Sequence, residues 1–582
     1  MRWSSSNCSS SATPLVGTSS ARSSTTKGRR SPRLRARGAC APGRLPPPRS
    51  ARSRSGSSLH QPRQLDSSAV IFENGVIRTL DPSLPVVRSL AIAGEQIAGG
   101  VGTHETALPG PERVDLGGRC VVPGLSDAHV HFATWAVAQH EVRLEDTRSL
   151  DEALARVREA LAAAPADRWL RGRGWRSADW SPSVEPTKEV LDEVVSDRPV
   201  ALMARDSHSV WLNSAAIARA DGDLQVPGGV VELDDRGEPT GVLREESCWH
   251  FRDRYIELSD DEYVEAMRAG LKLAASRGVT ALHDKDGWLG ALRFWQRLQA
   301  EGPLGLRVWQ SLPAEKADEL TDVDVRSGLG GPRLRLGYLK AFMDGTLGSQ
   351  TARMLDGSGV EITSREQLEH YIRAGARAGF PLAVHAIGDL ANREALDAFE
   401  ATRDEWQPLG LRPRIEHAQL LAPEDVPRFA ELGVAASVQF SHAPSDRELA
   451  DRFWGHKVSG AYAYRSLLDA GAVVANGSDA PIEELDPLAG IRAGVLRTLD
   501  ERPAWQPEQA VTVAEALHAT CVAPAWLARE EHSRGKLLPG YDADLVVLDR
   551  DPVDCPPDEL PEVHIVATML AGTWTHNPPP WD

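Results

Sequence analysis

Five short stretches constrain this chain of 582 residues more than any other feature. In chain order they are Gly-Leu-Ser-Asp-Ala-His129-Val-His131, Leu-Lys340-Ala-Phe, Ala-Val-His385-Ala-Ile-Gly-Asp, Arg-Ile-Glu-His417-Ala-Gln and Asn-Gly-Ser-Asp479-Ala-Pro. Each places a side chain able to ligate a metal at the downstream end of a short apolar run. In a (β/α)8 barrel the C-terminal ends of the strands open on one mouth, so residues far apart in sequence can surround one or two ions.

The rest of the pattern agrees with a barrel. Apolar strand-like runs alternate with helical stretches, which is the signature of a parallel α/β sheet. Candidate strands lie near residues 122–131, 279–284, 306–311, 335–342, 382–387, 413–417, 434–440 and 473–478, the eight that a TIM barrel needs. The barrel domain is expected over 122–534. The gap after its first strand exceeds one helix, so about 135–255 is read as an insertion, with its own strand at Pro199-Val-Ala-Leu-Met-Ala. Short alternating strands, with a hairpin signal at Asn74-Gly75, begin at Ser68, and a similar set closes the chain. Residues 67–121 and 535–582 are therefore expected to pair into a small β-sandwich. Residues 1–66 are rich in Ser, Arg and Pro without periodicity and are expected to be disordered. Their acid-poor composition resembles a transit peptide; a start codon set too far upstream in a GC-rich genome gives the same composition.

Charge narrows the partners. Residues 1–66 hold 13 Lys and Arg against the single acidic Asp66, so of the net −17 the remaining chain carries about −29. Such a body repels nucleic acid and anionic membrane surfaces, and a small neutral or cationic molecule is the expected substrate. No apolar run reaches the roughly 18 residues that a membrane span needs. The six cysteines are far apart and contain no C-x-x-C pair, which fits a reducing compartment and a cytoplasmic location. A homodimer is an open option.

His129 and His131 stand two apart on a strand, so both imidazoles face the same side and can hold one ion. Lys340 follows an alternating strand. It either reaches into water from a strand end or lies buried with a depressed pKa, and the latter would let it react with CO2 and bridge two cations as a carbamate. A lone histidine at a strand end is usually a satisfied core group. His385 and His417 come on successive strands near Asp389 and Glu416, carboxylates that could orient an imidazole, and this shifts the reading toward ligation. Asp479 could be a turn former or helix cap; at the last strand end it could instead bind an ion and accept a proton. His208 and His442 are candidate substrate contacts or polar loop residues. Trp175, Trp180 and Trp211 could form a lid over the mouth, but the insertion's own core is the expectation.

These segments, in this order, resemble the amidohydrolase superfamily over about residues 68–575. The amidohydrolase-3 (YtcJ-like) branch is indicated by Leu-Lys340-Ala-Phe-Met-Asp-Gly-Thr-Leu-Gly-Ser, Val-His385-Ala-Ile-Gly-Asp, Ile-Glu-His417-Ala-Gln and Val438-Gln-Phe-Ser-His442-Ala. The resemblance implies that His129, His131 and Asp479 bind one metal and His385 and His417 a second, with Lys340 bridging both as its carbamate. It implies zinc, and hydrolysis of a non-peptide C–N bond, amide or formamide type, by a metal-activated hydroxide with Asp479 as the catalytic acid and base. An esterase or lactonase on the same scaffold, and a non-catalytic small-molecule binding protein, are the alternatives. Gln439-Phe440 departs from the Gln-Pro expected in this branch.

Overall fold

The computed structural model describes residues 69–98, 112–163, 169–177, 180–204, 209–220, 222–227, 229–256, 258–348 and 350–581, all within the compact unit Asp66–Asp582. Eight parallel strands form its central sheet: β1 (Leu125–Val130), β2 (Val279–Asp284), β3 (Arg307–Pro313), β4 (Leu334–Phe342), β5 (Leu382–Ala386), β6 (Arg414–His417), β7 (Ala435–Val438) and β8 (Val474–Asn476). They are ordered sequentially from β1 to β8. Two backbone hydrogen bonds, Asp479 N to His129 O (2.7 Å) and His131 N to Ala480 O (2.9 Å), join the chain just after β8 to the end of β1 and bring the sheet round toward closure. Gly477 permits this seam, because a Cβ there would lie 2.4 Å from the His129 nitrogen.

Why these runs become buried strands follows from their composition. Leu-Ala-Val-His-Ala and Arg-Ile-Glu-His are covered on both faces, by helices outside and by facing strands inside, so no polar-out alternation survives. The helices between them are amphipathic and capped by local sequence. Ser364 accepts a hydrogen bond from Gln367 N at the start of Arg365–Ala378, and Gly379 ends that helix at φ +73°. Ser259 and Glu262 form a capping box on Asp260–Ser276.

The first barrel strand is shorter than the sequence suggests. Cys120–Pro123 belongs to an outer sheet, where it pairs antiparallel with Leu545–Leu548, and β1 begins only at Leu125. The switch occurs at Gly124, where a Cβ would collide with the Thr280 side chain at 2.2 Å. The outer sheet has the order Thr573–His576, Ile565–Leu570, Leu545–Leu548, Cys120–Pro123, Val76–Arg78, Val86–Val87, so both ends of the described chain share it. It packs with a four-stranded sheet built from Ala69–Glu73, Leu90–Ala93, Gln96–Ile97 and Glu112–Asp115 around Phe72, Ile77, Leu90 and Val547.

Between β1 and β2 lies a separate six-stranded sheet, which includes the expected strand at Val200–Ala204. Trp175, Trp180 and Trp211 are 2%, 3% and 0% exposed and contact one another at 6.2–6.4 Å between ring centroids. Their indole N–H groups donate to Leu202 O, Thr147 Oγ1 and Thr187 O. These rings are the core of the inserted sheet, as expected, and do not form a lid. Among the described residues no helix is long and apolar enough to cross a membrane. Residues 1–66 lie outside the described residues, so the expectation of disorder there has no structural counterpart.

Candidate metal centre

Strand alternation places the inner side chains. Lys340 and Phe342 on β4 share a face, as do Arg414 and Glu416 on β6, and cross-strand register sets Phe342 beside His385 and His385 beside Glu416. His417 follows Glu416 directly and would point outward in a regular strand. Its backbone is instead in the left-handed region (φ +75°), and its ring lies 4.5 Å from that of His385 and 4.7 Å from that of His129. Asp479 is likewise left-handed (φ +58°). Such strain persists only where the surrounding structure holds it, and both instances fall on expected ligands.

Each histidine has one ring nitrogen committed to a partner. His129 Nδ1 is 2.8 Å from Glu416 Oε2, His131 Nδ1 is 2.9 Å from Asp286 Oδ1, and His417 Nδ1 is 2.8 Å from Gln439 Oε1. These acceptors place the proton on Nδ1 and leave Nε2 as a lone pair. His385 is reversed: its Nε2 is 3.0 Å from the Gly345 carbonyl, so Nδ1 is free. The Nε2 atoms of His129 and His131 converge on Asp479 Oδ1 at 3.3 and 3.6 Å. For neutral His129 this sets a lone pair against a carboxylate oxygen, an arrangement that a cation between them would make favourable. Burial, followed by Lys340, pushes His385 down to about 3. Burial opposes protonation of His131 as well, but Asp286 and Asp479 outweigh it and raise its pKa.

Lys340 does not reach water. It is 1% exposed, its Nζ has no hydrogen-bond partner, and it lies 4.8 Å from the centroid of the Phe342 ring. Burial pushes its pKa down to about 8 against the pull of Glu416 and Asp479. Asp479 is not a helix cap either: the following helix starts at Pro487 and is capped by Asp486. Its carboxyl is raised by burial, with His131, His442 and Lys340 opposing. His442 is 4% exposed; its Nδ1 is 3.1 Å from Gln419 Nε2, its Nε2 has no partner, and its ring is stacked parallel to His417 at 6.4 Å. Nitrogens of His417 and His442 and an oxygen of Asp479 lie within 4.8 Å of one another, as do the corresponding atoms of His129, His131 and Asp479. His208 lies outside the described residues.

Sequence reasoning assigned two orienting carboxylates differently. Glu416 serves His129 across the barrel instead of its neighbour His417, because the left-handed turn at His417 brings both side chains inward. Asp389 accepts a hydrogen bond from Leu355 N and pairs with Lys457, while Asp344 on the preceding connection lies 3.7 Å from His385 Nε2. Asp286, Lys285 and Gln439 were not singled out as site residues. The only signal for the first two is a charged cluster, Asp284-Lys285-Asp286, at the end of β2. Lys285 Nζ and Arg414 Nε approach Glu416 Oε1 at 3.0 and 2.9 Å, with all three side chains fully buried. Burial alone would raise the Glu416 carboxyl, but Arg414, Lys285 and His129 hold it well below the usual range.

Residues 112–576 match the amidohydrolase family, and the chain belongs to it, in the amidohydrolase-3 branch. It is 32% identical over 532 residues to Protein LONG AFTER FAR-RED 3 of Arabidopsis thaliana, covering 86% of this chain and 91% of the relative. It is 28% identical over 528 residues to the N-substituted formamide deformylase of Arthrobacter pascens, covering 86% and 96%. The crystal structure of an uncharacterized metal-dependent hydrolase from Pyrococcus furiosus superposes with a TM-score of 0.69 at 29% identity, covering 84% of this chain and all of that one.

Proposed function

We propose that this protein hydrolyses a non-peptide C–N bond, of amide or formamide type, in a small molecule. The observation that carries the reading is the convergence of His129, His131, Lys340, His385, His417 and Asp479 at the mouth of the barrel, with the histidine tautomers set by fixed acceptors. The relative from Arthrobacter pascens, an N-substituted formamide deformylase, supports the bond type.

The residues fit divalent cations. His129, His131 and Asp479 would hold one, His385 and His417 a second, and Lys340 would bridge them as its carbamate; the nitrogen and oxygen donor set suits zinc. When bound, such a cation brings the pKa of water toward neutrality and polarises a carbonyl oxygen. Carboxylation of Lys340 needs a neutral amine, and a buried Nζ shifted to about 8 supplies it. Nζ attacks the carbon of CO2, the N–C bond forms as one C=O π bond opens to a carboxylate oxygen, and the nitrogen passes its proton to the neighbouring Asp479 carboxylate. Asp479, buried and above its ordinary pKa, takes a proton from the attacking water at a carboxylate oxygen and returns it to the departing nitrogen. His442 presents its unpartnered Nε2 to the same space and serves as a substrate contact; His208 is the second contact in this reading. Cys120, Cys521 and Cys555 are free thiols, which supports a cytoplasmic setting.

Elemental analysis of the active protein is expected to give about two metal equivalents per chain. Replacing His129 and His131 together by alanine is expected to remove about one of them, and an unchanged content would refute their assignment. For the bond type, one metal-loaded preparation is tested against matched amides, formamides and esters. Turnover of the amides or formamides is the expected result; turnover confined to esters or lactones would overturn the C–N reading.

A further inference from the structure

One peptide unit lies between the chain segments that hold the two expected ions. Gln439 follows β7 directly, and its Oε1, 2.8 Å from His417 Nδ1, accepts the proton there and so leaves Nε2 free for an ion. The side chain alone cannot hold that pose. A glutamine turns about several torsions, and its Nε2 gains little from Ser437 O at 3.5 Å. The backbone holds it instead. The Gln439 carbonyl accepts from Tyr464 Oη (2.7 Å) and His442 N (3.1 Å), and the N–H of the same peptide, that of Phe440, donates to Asn476 Oδ1 (3.0 Å). Proline, the residue expected at 440, has no N–H and could not make the last of these bonds.

Asn476 is the last residue of β8, just ahead of Asp479, and is 2% exposed. Its surroundings are tight. The helix Pro487–Leu496 presents glycine to both partners: a Cβ on Gly490 would lie 2.9 Å from Asn476 Nδ2, and one on Gly494 2.8 Å from the Phe440 ring. Gly477 N also donates to Val438 O (3.0 Å), a second tie between the ends of β7 and β8. We propose that Asn476 is a positioning residue for the second ion: its oxygen fixes the Gln439–Phe440 peptide, and through it the acceptor on His417. Without that bond the Phe440 N–H loses its partner, the peptide can turn, and Gln439 no longer dictates which nitrogen of His417 faces the ion. The effect is confined to the second ion, because His129 and His131 take their acceptors from Glu416 and Asp286. This rests on the two-ion reading above.

The test uses the full-length protein freed of metal and titrated with cobalt(II), whose visible absorption reports each ion as it binds. His385→Ala marks which absorption belongs to the second ion. Asn476→Ala is expected to weaken binding of that ion about tenfold, equivalent to about 1.4 kcal/mol, and to change the affinity for the other by less than about twofold. Asn476→Asp keeps an oxygen for the Phe440 N–H and should recover most of the loss. Equal weakening of both ions, no weakening, or a loss confined to the first ion would overturn the assignment, since a merely structural role does not single out the second. A metal-free measurement separates this from failure of the two-ion reading. If Asn476 acts through Gln439, the Tm losses of Asn476→Ala and Gln439→Ala should sum to more than the loss in the double variant. Should wild type bind only one cobalt ion, that shortfall still supports the positioning role, and strictly additive losses would overturn it.

Discussion

Lys340→Ala is expected to be inactive and poor in metal, yet its metal-free form should be at least as stable as metal-free wild type. The two halves of this result come from one observation. The Nζ is buried without a hydrogen-bond partner, so as an unmodified ammonium it costs desolvation that the pull of Glu416 and Asp479 does not fully offset in the metal-free fold. Its removal relieves that cost, although the vacated methylenes give some back as a cavity. The metal-loaded protein loses the group proposed to bridge the two ions. A structural lysine would behave in the opposite way, with lower stability and retained metal. Small carboxylic acids provide the third arm, because formate or acetate can enter the vacated space and present two oxygens where the carbamate stood. Elemental analysis, thermal unfolding of chelator-treated protein and turnover with added formate give the three readings. Full activity with full metal content in Lys340→Ala would rule out the bridging role and leave a site built on His129, His131 and Asp479.

Much of this architecture is visible in the amino-acid string because buried parallel strands are continuous apolar runs, and runs such as Pro381-Leu-Ala-Val-His385 stand out between polar helices. The ligand positions share that visibility, since each ends such a run. The partners of the ligands do not. Glu416 reaches His129 from the far side of the barrel, and no spacing rule connects positions so distant. The neighbouring residue misleads as well, because the left-handed φ at His417 cancels the alternation that would separate the two side chains. Asp286 and Lys285 read locally as a solvated turn, and only closure of the barrel places Asp286 on His131 and Lys285 on Glu416. The tryptophans show the same limit from another side. Composition identifies them as large apolar surfaces, but whether a given ring fills a core, like Trp211 at 0% exposed, or stands partly in solvent, like Trp288 at 39%, depends on packing.

Glu416→Ala is expected to be the most destabilising single change in the barrel interior, lowering unfolding free energy by about 3–5 kcal/mol in the metal-free protein. The carboxylate joins four strands' worth of side chains: His129 on β1, Lys285 just past β2, Arg414 on its own strand, and Tyr338 on β4, whose ring lies 4.2 Å from the Arg414 guanidinium. Its loss leaves the Arg414 guanidinium, and Lys285, which burial pushes down to about 7, without their shared counter-charge, and breaking such a pair costs more than the pair contributes when intact. Glu416→Gln keeps an oxygen for the His129 N–H while removing the charge, so it should recover the metal affinity better than the stability. Loss of an orienting acceptor behind a ligating histidine typically lowers metal affinity 10–100-fold, and Glu416→Ala should fall in about that range. The pH dependence has a definite sign. Because the folded state holds the carboxyl below its unfolded value, its stabilisation is complete above roughly pH 4.3 and is lost as the pH falls toward the folded pKa. Below about pH 5 the gap between wild type and Glu416→Ala in urea unfolding should accordingly narrow, as Glu416 takes up its proton. A gap under about 1 kcal/mol at pH 7 would show that Lys285 and Arg414 find other partners, and that the ion cluster is not what ties β1 to β6.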